Sequence, residues 1–160
     1  MECYSEICQG ATFKVYFPAI QTEQDMEAPT SETPIPGGTE TVLLVDDDDA
    51  VRDWCQELLG SFGYEVITAG NGKEAVEMCQ TMGDSISLVI LDLIMPVMDG
   101  RQCLAEILRI KPSAKVIIAS GYSESGPTSR SMTGGAKGFV EKPYNESQLL
   151  TTIRKVLDQD

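Results

Sequence analysis

Short apolar runs at 41–45, 64–68, 87–91, 115–119 and 138–140 alternate with helical patterns at about 49–60, 72–82, 100–110 and 145–157. Runs of Val, Ile and Leu this continuous are buried on both sides, which requires a sheet whose two faces are covered, and the intervening helices supply the cover. Consecutive strands then run parallel and are joined by right-handed crossovers. The expected fold is α/β, a five-stranded parallel sheet between two helical layers. Its weak place lies between Tyr122 and Gly135, where Ser, Gly and Pro outnumber good helix formers. The fourth helix of the alternation is expected there, short or mobile.

Acids collect where these strands end. Asp46, Asp47, Asp48 and Asp49 follow the first run, and Asp92 closes the third. In an open α/β sheet, ligands bind in the crevice beyond the carboxyl ends of the strands, so acids placed there converge. Carboxylates brought that close repel one another unless a cation lies among them. Hard oxygen donors favour a hard ion, and Mg2+ is held by one or two carboxylates while keeping several waters. Asp48 and Asp49 have a simpler use as acids at a helix entry, one of them capping Ala50-Val51-Arg52. Asp99-Gly100 likewise reads as a turn and cap, and Trp54 as a core or interface residue on a helical face.

The chain of 160 residues is 42% hydrophobic, enough for one domain with its own core, and its formal charge is −13. Such acidity, without Lys and Arg clusters, argues against nucleic-acid binding. Five cysteines, Cys3, Cys8, Cys55, Cys79 and Cys103, show no C-x-x-C spacing, and the chain has no histidine. They read as reduced thiols, the last three as small core residues. No apolar stretch is long enough to span a bilayer, and the N-terminus lacks the basic start of a signal peptide, so a soluble, cytoplasmic protein is expected. Residues 21–40 are rich in Thr, Glu, Pro and Gly and read as a flexible linker. Ahead of it, Ala11 to Phe17 alternates as one strand stopped by Pro18. One strand cannot bury its own face. It borrows a sheet edge from another copy or from the main domain, or it is the stump of a domain lying upstream.

Four stretches in order carry a resemblance: Val45-Asp46-Asp47; Leu91-Asp92-Leu93-Ile94-Met95-Pro96 with Asp99-Gly100; Ala119-Ser120-Gly121-Tyr122; and Phe139-Val140-Glu141-Lys142-Pro143-Tyr144. Residues 41–160 resemble a response-regulator receiver domain of two-component signalling. The resemblance implies a flavodoxin-like doubly wound sheet of strand order 2-1-3-4-5 and a phosphoryl group carried on Asp92. It implies Mg2+ held by Asp47, Asp92 and the backbone carbonyl of Ile94, with Asp46 acting partly through water. Lys142 would pair with Asp92 before transfer and with the phosphoryl group after it, and Ser120 would donate a hydroxyl to that group. Ser120 drawn inward would vacate space for Phe139, which couples the chemistry to the face of the fourth helix and fifth strand. Ile94 and Tyr122, bulky and beside the site, would hinder attacking water and lengthen the life of the phosphoryl-aspartate.

Gly10-Ala11-Thr12-Phe13 running into an alternating strand and Pro18 resembles the last strand of a histidine-kinase ATP-binding domain. Residues 1–20 are then a remnant of such a domain, 21–40 the linker and 41–160 the receiver of a hybrid sensor histidine kinase. The fragment lacks the kinase's catalytic parts and has no phosphorylatable histidine. Its donor is expected to be a histidine kinase core of the same parent chain or in trans. With no effector after Asp160, its output is contact: transfer to a histidine phosphotransfer protein, or feedback on the kinase core. Self-association through the N-terminal strand is a further expectation. Two other readings compete. A binding-only pseudo-receiver would keep the fold without the chemistry, although every expected active residue is present. A metal-dependent phosphatase with an aspartyl nucleophile would carry Asp-x-Asp after the first strand, whereas here the isolated acid follows the third. An EF-hand is excluded, since its ligands alternate around a central glycine.

Overall fold

The structure, a computed structural model, describes residues 2–6, 10–14, 37–121 and 134–159. It divides into two units, Met1–Glu32 and Thr33–Asp160. In the first, β1 (Glu2–Glu6) and β2 (Gly10–Lys14) form an antiparallel pair in which Glu2 faces Lys14 and Tyr4 faces Thr12. Lys14 Nζ lies 5.5 Å from the centre of the Tyr4 ring, a diagonal cross-strand cation–π contact. The sequence signals β2 through its alternation but not β1. Glu2-Cys3-Tyr4-Ser5-Glu6 is too polar to read as a strand alone, and pairing with β2 is what makes it one.

The second unit holds β3 (Thr41–Val45), α1 (Asp49–Ser61), β4 (Glu65–Ala69), α2 (Gly72–Met82), β5 (Ile86–Asp92), α3 (Gly100–Ile110), β6 (Val116–Ser120), β7 (Gly138–Glu141) and α4 (Glu146–Leu157). All five strands are parallel, in the order β4-β3-β5-β6-β7, which is 2-1-3-4-5 in the numbering of the repeat. The expected fourth helix falls on residues outside those described, so α4 is the helix expected at about 145–157.

Side chains alternate across each strand, and the core therefore has two halves. Leu43, Val45, Val89, Leu91, Val116 and Ile118 face Ala75 and Cys79 of α2 and Cys103, Leu104 and Ile107 of α3. On the other face, Val42, Leu44, Leu88, Ile90, Ile117 and Ala119 meet Cys55 and Leu59 of α1 and Leu149, Leu150, Ile153 and Val156 of α4. β3 and β5 are covered on both sides, and this holds their carboxyl ends rigidly side by side. The helices start where polar caps demand it. Asp48 accepts from the Ala50 N–H at 2.9 Å, Asn71 from Glu74 at 3.0 Å, Asp99 from Arg101 and Gln102 at 2.9 Å each, and Asn145 forms a reciprocal capping box with Gln148.

At the opposite end of the sheet, the residues entering β3 lie against the domain. The Gly38 N–H donates to the Phe62 carbonyl at 3.1 Å, and Arg154 of α4 reaches the Glu40 carboxylate at 2.9 Å. A Cβ on Gly37 would overlap the Phe62 carbonyl oxygen, so the close approach requires glycine there.

Candidate functional site

Three strand ends build the site. Asp46 and Asp47 follow β3 directly, Asp92 is the last residue of β5, and Lys142 follows β7. The acids converge: one carboxylate oxygen from each of Asp46, Asp47 and Asp92 lies within 4.8 Å of the others. Lys142 Nζ spans two of them, donating to Asp46 Oδ2 at 2.6 Å and to Asp92 Oδ2 at 2.9 Å. The Asp46 side chain is 3% exposed, that of Asp92 11% and that of Lys142 24%. Asp47 faces solvent. Burial works against the Lys142 ammonium, but its hydrogen bonds to Asp46 and Asp92 outweigh that and raise its pKa above the ordinary lysine value.

The remaining oxygens are held by backbone donors. Asp46 Oδ1 accepts from the Asp48 N–H at 3.1 Å, and Asp92 Oδ1 from the Ile94 N–H at 3.2 Å. Beneath Asp92, a Cβ on Gly100 would overlap the Asp92 carbonyl oxygen, so the Asp99-Gly100 pair that caps α3 also allows that helix to pack under the end of β5. Ser120 is wholly buried at the tip of β6, and its carbonyl accepts the Lys142 N–H at 2.8 Å. Phe139 pairs with Ile118 in the sheet and is half-buried against the α2/α3 half of the core. Ile94 is 60% exposed on the loop after β5. Tyr122 lies outside the described residues. The Lys142–Pro143 peptide is cis, and Tyr144 beyond it rests near Trp54, ring centres 6.0 Å apart, with its hydroxyl 3.5 Å from Cys55 Sγ. Trp54, expected in the core or at an interface, is 43% exposed. Burial pushes the Tyr144 and Cys55 pKa values up, so both stay protonated at neutral pH.

Sequence reasoning passed over Arg52. Its Nη1 donates to the Asp46 carbonyl at 2.5 Å and its Nη2 pairs with the Asp49 carboxylate. The available signal was its spacing, one turn into the helix that follows the acids.

The donor set suits a hard divalent cation: three carboxylates converge, two of them bonded to Lys142, and the third stands open to solvent. A 2-1-3-4-5 parallel sheet with acids and a lysine at its carboxyl edge defines a class of phosphoryl-accepting signalling modules. The comparisons agree. The family model described as response regulator receiver domain matches residues 42–154, and the chain belongs to that family. The sensor kinase CckA of Brucella abortus is 37% identical over 166 residues, covering 98% of this chain, whereas the chain spans only 18% of that relative. The chemotaxis protein CheY of Thermotoga maritima is 35% identical over 116 residues, covering 72% of this chain and 95% of the relative. Among solved structures, a chain of the CheX-CheY-BeF3-Mg2+ complex from Borrelia burgdorferi matches with a TM-score of 0.70 and 31% identity, over 75% of this chain and 90% of that one. TrrA from Thermotoga maritima, in complex with Mg2+-BeF, matches with a TM-score of 0.64 and 34% identity over 73% of this chain and 98% of that one. The chain is thus a phosphoacceptor receiver module of two-component signal transduction. Among the described residues, no helix is long and apolar enough to cross a membrane.

Proposed function

We propose that Asp92 is the phosphoacceptor and that Asp47, Asp92 and the Ile94 carbonyl hold Mg2+, with Asp46 contributing through water. The observation that carries this reading is the Lys142 bridge, 2.6 Å to Asp46 and 2.9 Å to Asp92, set beside a third acid open to solvent. An Asp92 oxygen attacks the phosphorus of a phosphohistidine. The new P–O bond forms as the P–N bond breaks, and the electron pair returns to the imidazole nitrogen. When bound, the cation offsets the charge on the phosphoryl oxygens. Lys142, a compact charge on a flexible stem, leaves the Asp92 carboxylate to pair with the phosphoryl group. The Ser120 hydroxyl donates to a phosphoryl oxygen, and Phe139 follows it inward to alter the β7 face.

The module is cytoplasmic, and its parent is a hybrid histidine kinase. The alignment to CckA supports this, since it takes in nearly the whole chain within a much longer sensor kinase. In that parent, β1 and β2 finish the ATP-binding domain, the linker expected over 21–40 stops short of Gly37, since Gly38 and Glu40 are already bonded to the receiver, and a kinase core or histidine phosphotransfer protein exchanges the phosphoryl group. A two-stranded sheet is marginal by itself, so upstream strands or a second copy complete it. Intact-mass measurement with a small phosphodonor tests the chemistry. One phosphoryl group should be gained only with Mg2+ and lost in Asp92→Asn; phosphorylation of Asp92→Asn would overturn the assignment.

A further inference from the structure

We propose that Arg52 is a positioning residue for the acid cluster, aiming Asp46 and Asp47 by gripping the peptide bond between them. The inference rests on the reading of that cluster as a Mg2+ site. Arg52 is 18% exposed, stands in the first turns of α1, and donates through Nη1 to the carbonyl oxygen of Asp46 at 2.5 Å. That oxygen belongs to the planar unit linking Asp46 to Asp47, so fixing it sets the direction in which the Asp47 Cα, and with it the carboxylate, leaves β3. The other side of Asp46 is fixed as well, because its N–H donates to the Ala69 carbonyl at the end of β4 at 3.2 Å. Asp46 Oδ1 and Oδ2 are occupied by the Asp48 N–H and by Lys142. Asp47 is the acid facing solvent, and the grip on the peptide bond before it is what Arg52 supplies.

A guanidinium beside an acid cluster has a simpler role as a countercharge. The two roles differ in sign. A nearby cation repels a divalent ion, so a countercharge lost would tighten metal binding. A positioning group lost would loosen it. Lysine separates them further, since it keeps the charge but lacks the planar fork that bonds the Asp46 carbonyl and the Asp49 carboxylate together.

Calorimetric titration of the whole chain with Mg2+, and of Mn2+ followed by spin resonance, tests this alongside thermal unfolding without metal. Arg52→Gln should weaken both metals about tenfold, the effect of losing a group that orients metal ligands. Arg52→Lys should weaken them in the same direction, while metal-free unfolding stays close to that of the parent chain. Asp49→Asn should bind almost normally, because the grip on the Asp46 carbonyl survives. Tighter or unchanged binding in Arg52→Gln, parent-like binding in Arg52→Lys, or an equal loss in Asp49→Asn would each overturn the proposal. Asp47→Asn is the control for the site itself. If it abolishes binding while Arg52→Gln does not alter it, only the positioning role falls; if Asp47→Asn binds normally, the metal site falls first.

Discussion

Replacing Lys142 by methionine removes the cation that lies between two nearly buried carboxylates, at 2.6 and 2.9 Å. Methionine keeps most of the stem's packing, so the loss is chiefly one of charge. Breaking a buried ion pair by deleting one partner costs about 3–5 kcal/mol. Lys142 is 24% exposed, and solvent screening brings the expected cost to about 2 kcal/mol. For a domain of this size that lowers Tm by about 8 °C. With the ammonium gone the cation meets no competing charge, so Lys142→Met should bind Mg2+ more tightly than the parent chain and gain more stability from it, about 1.4 kcal/mol for each tenfold difference in Kd at saturating metal. Calorimetric melts of Lys142→Met and the parent chain in chelator and in Mg2+ give the test, and the gap should be wide without metal and narrow with it. The sign with pH also follows. The folded Lys142 pKa is raised above its ordinary 10.5, so its stabilisation is full below that value and disappears as pH rises through the folded one. Equal melting of the two proteins in chelator, or a gap that Mg2+ leaves unchanged, would refute the reasoning.

Ile94→Asn should shorten the phosphoryl lifetime severalfold, measured as the decay of phosphoprotein after donor removal, because an apolar group beside Asp92 gives way to one that orients water. Gly100→Ala forces a Cβ onto the Asp92 carbonyl oxygen and should destabilise by about 1–3 kcal/mol in denaturant melts, with weakened Mg2+ binding as the β5 end shifts. Burial pushes the Cys103 thiol up to about 12 from 9.0, helped by Cys79 and Asp99. The unfolded chain releases that proton first, so stability should fall between those pH values by about 1.4 kcal/mol per unit. Cys103→Ala should flatten that slope in alkaline denaturant titrations.

The sheet and the acids were legible in the sequence because both rest on local patterns. Continuous apolar runs such as Leu88 to Leu91 mark strands covered on both faces, and an acid at the end of such a run has few other uses. Less legible were features that depend on partners distant in the chain. β1 became a strand only through β2. Trp54 sits on a helical face but lies out toward Tyr144, ninety residues away. Arg52 looked like any cation on a capped helix until the fold brought its fork to the Asp46 carbonyl. The relative burial of Asp46 and Asp47 was likewise invisible, since adjacent residues at a strand end diverge only once the loop is folded.

The Lys142 bridge spans 50 residues to Asp92 and 96 to Asp46, and it comes from β7 at the sheet's edge across β6. No partial assembly of the sheet holds the complete trio with its ammonium. On the role proposed for Lys142, a chain that lacks β7, or whose edge strand has frayed, lacks the ammonium that would meet the phosphoryl group. On that reading, the last strand to be synthesised is also the one that completes the receiving site.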